Sequence, residues 1–230
     1  CTTYGSTIWI DKLLKKQNAV VKSHKEDWDR QTRKEYKEKG RKKRVAVMLF
    51  ALLCNFGILA FLKYIPYAGE LGLLLPLGIS FYTFQSMGYV MDVYREIVEP
   101  EKNFLKVALF VSFFPQIIQG PIAIYDKLAG QLYEGHSLRL ENLQKGALLV
   151  LWGVMKKLVI ADRAVNIINF VMDKPMDFSG TYVFFAAVVY ALQLYADFSG
   201  GIDIVRGIAE MFGITMSTNF NHPYFSRSLT

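Results

Sequence analysis

A run of twenty residues that is apolar for nearly its whole length constrains this chain more than any other feature. Residues 45 to 64 read VAVMLFALLCNFGILAFLKY. A helix of about 20 apolar residues is long enough to cross the hydrocarbon core of a bilayer. Lys63 and Tyr64 stand at its end, and such side chains anchor helices at the membrane–water interface. The run therefore predicts a transmembrane helix.

Other apolar segments follow, and several are short or interrupted. Residues 71 to 91 and 104 to 122 carry internal prolines and glycines, whereas residues 147 to 161 and 181 to 196 are more continuous. Irregular backbone at membrane depth is tolerated where protein buries it or a cavity hydrates it. We therefore predict an all-α fold, a polytopic membrane helical bundle of four to six embedded segments with broken or re-entrant helices. The polar residues 125 to 146 are predicted to form a loop.

The positive charge of the chain is concentrated in one segment. The whole chain has a net charge of +7, whereas residues 11 to 44 hold 14 basic and 6 acidic side chains. Basic loops beside membrane spans face the cytoplasm. We predict that residues 11 to 44 form a solvated cytoplasmic loop, partly helical, that contacts anionic lipid. No aromatic platform or recognised motif supports nucleic-acid binding, so nucleic acid is not an expected partner.

These patterns give a linear organisation for the chain. Residues 1 to 10 are interpreted as the tail of a truncated transmembrane helix, and residues 11 to 44 as the basic cytoplasmic loop. Residues 45 to 230 are interpreted as the membrane core of a multi-pass plasma-membrane protein. The two cysteines, Cys1 and Cys54, form neither a disulfide framework nor a CxxC metal pattern.

Five polar residues lie in or beside the apolar segments. Ionisable groups at membrane depth are costly and usually line a functional cavity. The alternative is that these side chains bond to backbone groups freed by the proline and glycine breaks. The five are Gln85, Gln116, Gln119, Asp197 and Asp203.

The two aspartates flank a Ser-Gly-Gly sequence. Asp197 and Asp203 are six residues apart, which on an unbroken helix is about 600° and puts them on different faces. A close carboxylate dyad is therefore expected only if Gly200-Gly201 breaks the helix. Asp197 is alternatively a cap for a new helix that begins near Ser199.

The histidines do not assemble a catalytic site by their spacing. His24 and His136 lie in polar segments and are expected to be solvated, and His222 lies beside a proline after an apolar segment. No Ser-His-Asp order, metal-ligand set or glycine-rich phosphate loop accompanies them. No bound cofactor or metal is expected.

Five motifs follow one another along the chain. They are PLGISFYTFQSMGYVMDVYR (76–95), FFPQIIQGPI (113–122), WGVMKKLVIADRAV (152–165), LQLYADFSGGIDIVRGIAEMFGI (192–214) and NFNHPYFSRSLT (219–230). In this order they resemble the membrane-bound O-acyltransferase family, most strongly the bacterial branch that includes the alginate O-acetyltransferase membrane subunit. The resemblance covers most of residues 45 to 230.

The resemblance implies a polytopic helical enzyme with a partly hydrated tunnel through the bilayer. It would take an acyl group, expected to be acetyl, from acetyl-CoA or another acyl thioester. The acceptor would be an exported or cell-wall polysaccharide, reached directly or with an extracytoplasmic acyltransferase partner. The candidate tunnel residues at matching motif positions are Gln85, Gln119, Asp197, Ser199, Asp203, Asn219 and Asn221.

Two departures from the family pattern concern catalysis. The resemblance places the catalytic histidine beyond Thr230, and His222 does not match its position, so residues 1 to 230 alone are expected to be inactive. Ile124 stands where the family usually has an arginine shortly after the Gly-Pro-Ile sequence. An anchoring role for that arginine is therefore not expected here.

Two other interpretations fit parts of the pattern. A secondary transporter also builds ion sites from broken helices and acids at mid-membrane depth, although no clear internal repeat is present. A non-catalytic membrane subunit that docks a partner is the second alternative.

Overall fold

The computed structural model describes residues 2–24, 28–64, 78–120, 124–220 and 224. Every regular element in these ranges is helical, which confirms the all-α prediction. The chain divides into two compact units. One contains residues 1–117 and 122–133, and the other contains residues 118–121 and 134–230.

The first unit begins with a helical hairpin. Its two helices are antiparallel: Asn55 lies 3.4 Å from the Thr2 hydroxyl near one end, and Gln17 Nε2 donates to the Lys37 carbonyl at 2.9 Å near the other. Shorter helices follow along the chain. The elements are α1 (Thr2–Ser23), α2 (Arg30–Tyr64), α3 (Ile79–Tyr94), α4 (Phe104–Val111), α5 (Phe114–Ile118) and α6 (Tyr125–Tyr133).

The basic segment is not the loop that its charge pattern predicted. Residues 11 to 23 continue α1, and residues 30 to 44 form the first half of α2. Lys, Arg, Glu and Gln are good helix formers, and no proline interrupts the segment. Pairs four residues apart, such as Lys15 with Asp11 at 2.7 Å, add small stabilising contributions. Residues 2 to 10 of the predicted helix tail are therefore part of the same helix, α1.

An aromatic cluster forms the core of the first unit between α3, α4 and α6. Tyr89 and Phe110 are almost fully buried, and the Tyr125 ring packs on both, with centroid distances of 4.4 and 4.8 Å. The Tyr133 hydroxyl donates to the Lys106 carbonyl at 3.0 Å and lies 3.3 Å from the Tyr125 hydroxyl. The buried hydroxyls are therefore satisfied within the cluster, as buried polar groups require.

The second unit is built around two long helical segments. The helix α7 (Leu140–Val154) continues directly into a π-helical segment (Met155–Ala161) and then into α8 (Asp162–Met172). A short 3₁₀ turn (Pro175–Asp177) leads to α9 (Gly180–Met211). Gly213, with φ of 77°, ends α9, and the amide of Ile214 returns to the Ala209 carbonyl.

Among the described residues, two helices, α2 and α9, are long and apolar enough to cross a membrane. The larger number of embedded segments stays a prediction. Residues 104 to 122 are interrupted as predicted, since α4 ends at Val111 and α5 begins at Phe114. Gly88 does not break α3, and residues 71 to 77 lie outside the described part of the chain. The predicted loop at residues 125 to 146 is wrong, because it contains α6 and the first turns of α7.

The tyrosine cluster predicts a loss of stability in alkali. Burial is the main cause that raises the pKa of Tyr125 and of Tyr133 above the ordinary value of 10.0. Above about pH 10 the unfolded chain releases these protons while the folded chain keeps them, so the free energy of unfolding falls as pH rises. Below that pH the contribution is constant.

The measurement is the thermal midpoint of the protein in detergent micelles between pH 7 and pH 11. We expect Tyr125→Phe to cost about 1 kcal/mol at pH 7 through its lost hydrogen bond. The same variant should show a shallower decline above pH 10 than the wild type. Tyr182→Phe, at an exposed ring, is the control. If the thermal midpoint of Tyr125→Phe declined above pH 10 as steeply as that of the wild type, Tyr125 would not contribute to the alkaline loss of stability.

Candidate functional site

The helix α9 runs without a break through the Ser-Gly-Gly sequence. It is continuous from Gly180 to Met211, so the break at Gly200-Gly201 that a carboxylate dyad would require does not occur, and the alternative of an Asp197 cap near Ser199 is wrong. The two glycines remain helical because neighbouring segments pack on this part of α9. Tertiary packing outweighs the low helix propensity of glycine here.

Glycines form a close seam between α7 and α9. A Cβ atom at Gly207 would lie 2.6 Å from the Gly146 carbonyl oxygen, and one at Gly200 would lie 2.8 Å from the Gly153 carbonyl oxygen. The glycines are spaced by seven residues on each helix, so they meet in pairs on two antiparallel helices. Small residues let helix backbones approach closely in this way. The seam fixes how α9 faces the π-helical segment.

Next to the seam, a buried cluster of charges joins the π-helical segment to α9. Lys156 Nζ donates to Asp203 Oδ2 at 2.6 Å, and Arg206 Nη1 donates to Asp203 Oδ1 at 3.2 Å. The Lys156 and Asp203 side chains are only 15% and 13% exposed. Buried charges require partners of this kind, because desolvation of a lone ion is costly.

A second ion pair lies beside the first. Lys157 Nζ donates to Asp197 Oδ1, and both side chains are about two-fifths exposed (43% and 42%). Consecutive lysines thus reach two aspartates that lie on different faces of α9. The π-helical segment that contains both lysines has a wider turn than an α-helix, and such segments are frequent at functional sites.

Gln119 and Ser199 complete the polar surroundings of α9 in the second unit. The Gln119 amide packs against Gly201, where any Cβ would collide with it, and its Nε2 lies 3.5 Å from the Phe198 carbonyl oxygen. Ser199 is 3% exposed, and its hydroxyl has no hydrogen-bond partner within the described ranges. Four predicted residues therefore lie on or against the same part of α9: Gln119, Asp197, Ser199 and Asp203.

The other predicted residues lie in the first unit, in exposed segments or outside the described part of the chain. Gln85 is buried on α3 and Gln116 is buried on α5, both in the first unit. Asn219 is exposed in the extended segment after α9, next to Phe220, whose ring packs on Phe198. Asn221 and His222 lie outside the described residues. His24 is exposed and stacks on Trp28 at 4.9 Å, and His136 is exposed.

Three residues of the site were missed at the sequence level. Lys156, Lys157 and Arg206 supply every countercharge to the two aspartates. A usable signal was present, because two lysines interrupt one apolar segment and two aspartates interrupt another. Charges in separate apolar segments that must be buried are expected to pair.

The arrangement gives both carboxylates a cationic partner and leaves one cation in excess. Three cations face two carboxylates, and each carboxylate has its own lysine, so no carboxylate dyad forms. Within the described ranges, no group of three or more His, Cys, Asp or Glu side chains is placed to hold a metal ion. The cluster is suited to supporting a polar path rather than to proton transfer.

The glycine seam gives a stability prediction. Gly207→Ala places a methyl group against the Gly146 carbonyl, and we expect it to lower the free energy of unfolding by about 1–3 kcal/mol. Gly57→Ala is the matched control in mid-helix, because its Cβ would meet nothing within 4 Å. That control should be neutral or gain roughly 0.5–1 kcal/mol. Denaturation in mixed micelles measures the free energy of unfolding of both variants. Equal changes would contradict close packing of the two helices at Gly207.

The two ion pairs should differ in their contribution to stability. Asp203→Asn leaves Lys156 and Arg206 buried without a countercharge, which should cost about 3–5 kcal/mol. Asp197→Asn, in the more exposed pair, should cost about 1 kcal/mol or less. The same denaturation assay compares them. A double variant, Lys156→Met with Asp203→Leu, should recover part of the loss if the cost arises from the unpaired charge.

Comparisons with known proteins identify several relatives of this chain. A peptidoglycan O-acetyltransferase of Helicobacter pylori is 33% identical over 215 residues, which cover 77% of this chain and 41% of the relative. Probable alginate O-acetylases of Pseudomonas syringae pv. tomato and Azotobacter vinelandii are 36% and 34% identical over 159 and 184 residues. These matches cover 68% and 79% of this chain, and 30% and 35% of the relatives.

The chain thus spans less than half the length of these curated relatives. No model of a known protein family matches it. The identity to several O-acetyltransferases extends over most of the chain, and its motifs occur in the family's order. The chain belongs to the membrane-bound O-acyltransferase family.

Proposed function

We propose that this chain forms part of a multi-pass membrane O-acetyltransferase. The enzyme would transfer acetyl groups to hydroxyls of an exported or cell-wall polysaccharide. The observation that carries the proposal is the 33% identity over 215 residues to a peptidoglycan O-acetyltransferase. The similarity to probable alginate O-acetylases supports a polysaccharide acceptor of the same chemical class.

In the proposed reaction an acyl thioester, such as acetyl-CoA, donates the acetyl group from the cytoplasmic side. The C–O ester bond forms as the C–S bond of the thioester breaks, and the proton of the acceptor hydroxyl ends on the released thiolate. A histidine is the usual general base for such a transfer. We propose that this base is the family histidine expected beyond Thr230.

The charge cluster of the second unit would act as a support in this enzyme. We propose that the ion pairs hold α9 against the π-helical segment and keep Gln119 and Ser199 beside a hydrated path. Exclusion of bulk water from such a path would protect the thioester from hydrolysis. The paired state of both aspartates supports a structural role, since each has a lysine partner.

The same pairing argues against a secondary transporter. A cation site in a transporter needs carboxylates or carbonyls that are free to bind the ion. Asp203 accepts from Lys156 and Arg206, and Asp197 accepts from Lys157. The docking-subunit alternative differs from the proposal in one respect, because it predicts no acetyl transfer that depends on this protein.

The test is acetylation in a bacterial host that lacks its own polysaccharide O-acetyltransferase. The natural full-length protein is expressed, any extracytoplasmic acyltransferase encoded beside it is co-expressed, and acetate released by mild alkali from purified peptidoglycan and alginate is quantified. We expect acetate above the empty-vector level on one of the two polymers. Acetate at the empty-vector level on both would overturn the proposal.

A matched pair of lysine variants tests the supporting role of the cluster. Lys156→Met should reduce acetate per molecule of membrane-inserted protein at least about ten-fold. The reason is that loss of a buried ion-pair partner costs several kcal/mol, and the packing of the π-helical segment on α9 would change in response. Lys145→Met removes an exposed lysine on α7 that pairs with Glu141, and it should leave the yield unchanged. Equal yields from both variants would assign the cluster no role in transfer.

A further inference from the structure

A groove along the α1–α2 hairpin changes from apolar to basic along its length. Its apolar part has a volume of about 460 Å³ and is lined by Trp9, Val47 and Phe50. Its basic part has a volume of about 500 Å³ and is lined by four lysines: Lys16, Lys39, Lys42 and Lys43. Leu13 and Lys43 line both parts, so the groove is continuous.

The change of character coincides with the start of the apolar run on α2. Val47 and Phe50 lie in the candidate membrane-spanning part of α2, whereas Lys42 and Lys43 lie within one turn before Val45. The apolar part of the groove is therefore at the depth of acyl chains, and the lysines are at the depth of lipid headgroups.

The basic part contains a buried polar side chain, Gln17, as well as exposed charges. Gln17 is 6% exposed, and its amide packs against Gly40, where the absence of a side chain admits it. Its Nε2 donates to the Lys37 carbonyl at 2.9 Å. Its Oε1 is buried and has no hydrogen-bond donor within the described part of the chain. A buried acceptor of this kind calls for a donor from a ligand or from water.

The charges that line the groove are poorly compensated. Lys42 lies 3.8 Å from Glu38, and no ion pair involves the other three lysines among the described residues. A cluster of four cations beside a membrane span attracts anionic headgroups. One molecule could therefore make three kinds of contact in the groove. Its phosphate would meet cations, a hydroxyl would meet a hydrogen-bond acceptor, and a hydrocarbon chain would meet apolar side chains.

We propose that this groove binds one molecule of an anionic phospholipid with a phosphoglycerol headgroup. The phosphate lies among Lys16, Lys39 and Lys43, and a glycerol hydroxyl donates to Gln17 Oε1. One acyl chain lies along Trp9, Val47 and Phe50. A lipid with an ammonium headgroup fits less well, because its positive charge would face the lysines. The proposal does not rest on the acetyltransferase function.

Trp9 gives a direct test, since it lines the acyl part of the groove. The variant carries Trp28→Phe and Trp152→Phe, so that Trp9 is the only tryptophan of residues 1 to 230. Any tryptophan beyond Thr230 in the natural full-length protein is changed to Phe as well. The protein is reconstituted in vesicles that contain brominated phosphatidylglycerol or brominated phosphatidylcholine at equal mole fraction. Bromine quenches tryptophan at contact, so quenching reports the lipid beside Trp9. We expect a relative binding constant at least about five-fold higher for phosphatidylglycerol.

A matched charge variant separates a site from general attraction to an anionic surface. The triple variant Lys16→Gln, Lys39→Gln and Lys43→Gln removes three cations of the groove. The control triple variant Lys12→Gln, Lys22→Gln and Lys34→Gln removes three exposed cations of the same helices that do not line it. We expect the first variant to lose the preference for phosphatidylglycerol and the second to keep it. Equal loss in both would overturn the proposal.

Gln17 tests the recognition of the headgroup hydroxyl. Gln17→Leu should bring the affinity for phosphatidylglycerol down to that for phosphatidic acid, which lacks the glycerol headgroup, while a preference over phosphatidylcholine persists. Far-UV circular dichroism checks that the hairpin keeps its helices, and Gln17→Met serves as a second apolar variant. Unchanged discrimination in both variants would refute the hydroxyl contact. Relief of quenching by millimolar glycerol 3-phosphate would assign the site to a soluble phosphate instead.

Discussion

The buried contact between Asp203 and its two cations is the interaction on which the second unit depends. A carboxylate taken out of water loses several kcal/mol of hydration, and only close countercharges offset that loss. Lys156 reaches Asp203 from the π-helical segment, and Arg206 reaches it from one turn further along α9. The pair therefore holds two helical segments in one register. It also explains why α9 keeps ionised groups within a long apolar helix.

The glycine seam and the charge cluster depend on each other. Gly200 and Gly207 let α9 approach α7 so closely that no side chain fits between the backbones. That approach brings the lysines of the π-helical segment within reach of the aspartates. The ion pairs in turn supply a directional contact, which packing of small residues lacks. Together they account for the Ser-Gly-Gly sequence between the two aspartates, which serves close packing and not a helix break.

The hairpin of the first unit uses charge for a different purpose. Its lysines are exposed along the groove and are only partly paired, so they do not stabilise the interior. Its helicity extends the apolar run of α2 into a continuous helix of 35 residues. About 20 residues suffice to cross a hydrocarbon core, so a helix of that length can carry its basic half beyond it. Residues 30 to 44 thus extend the candidate membrane helix.

The sequence by itself determined the helical class, the candidate membrane helix in residues 45 to 64 and the family, because hydrophobic run length and motif order are local properties of the chain. Its motifs also supplied seven candidate residues, of which Gln119, Asp197, Ser199 and Asp203 lie on or against one part of α9. Only the tertiary structure decided that α9 is unbroken and that Lys156 and Lys157 pair with the aspartates. The physical reason is that the low helix propensity of glycine is outweighed by packing, and that the partners of buried charges lie far away in the sequence, so both depend on the helices that pack together.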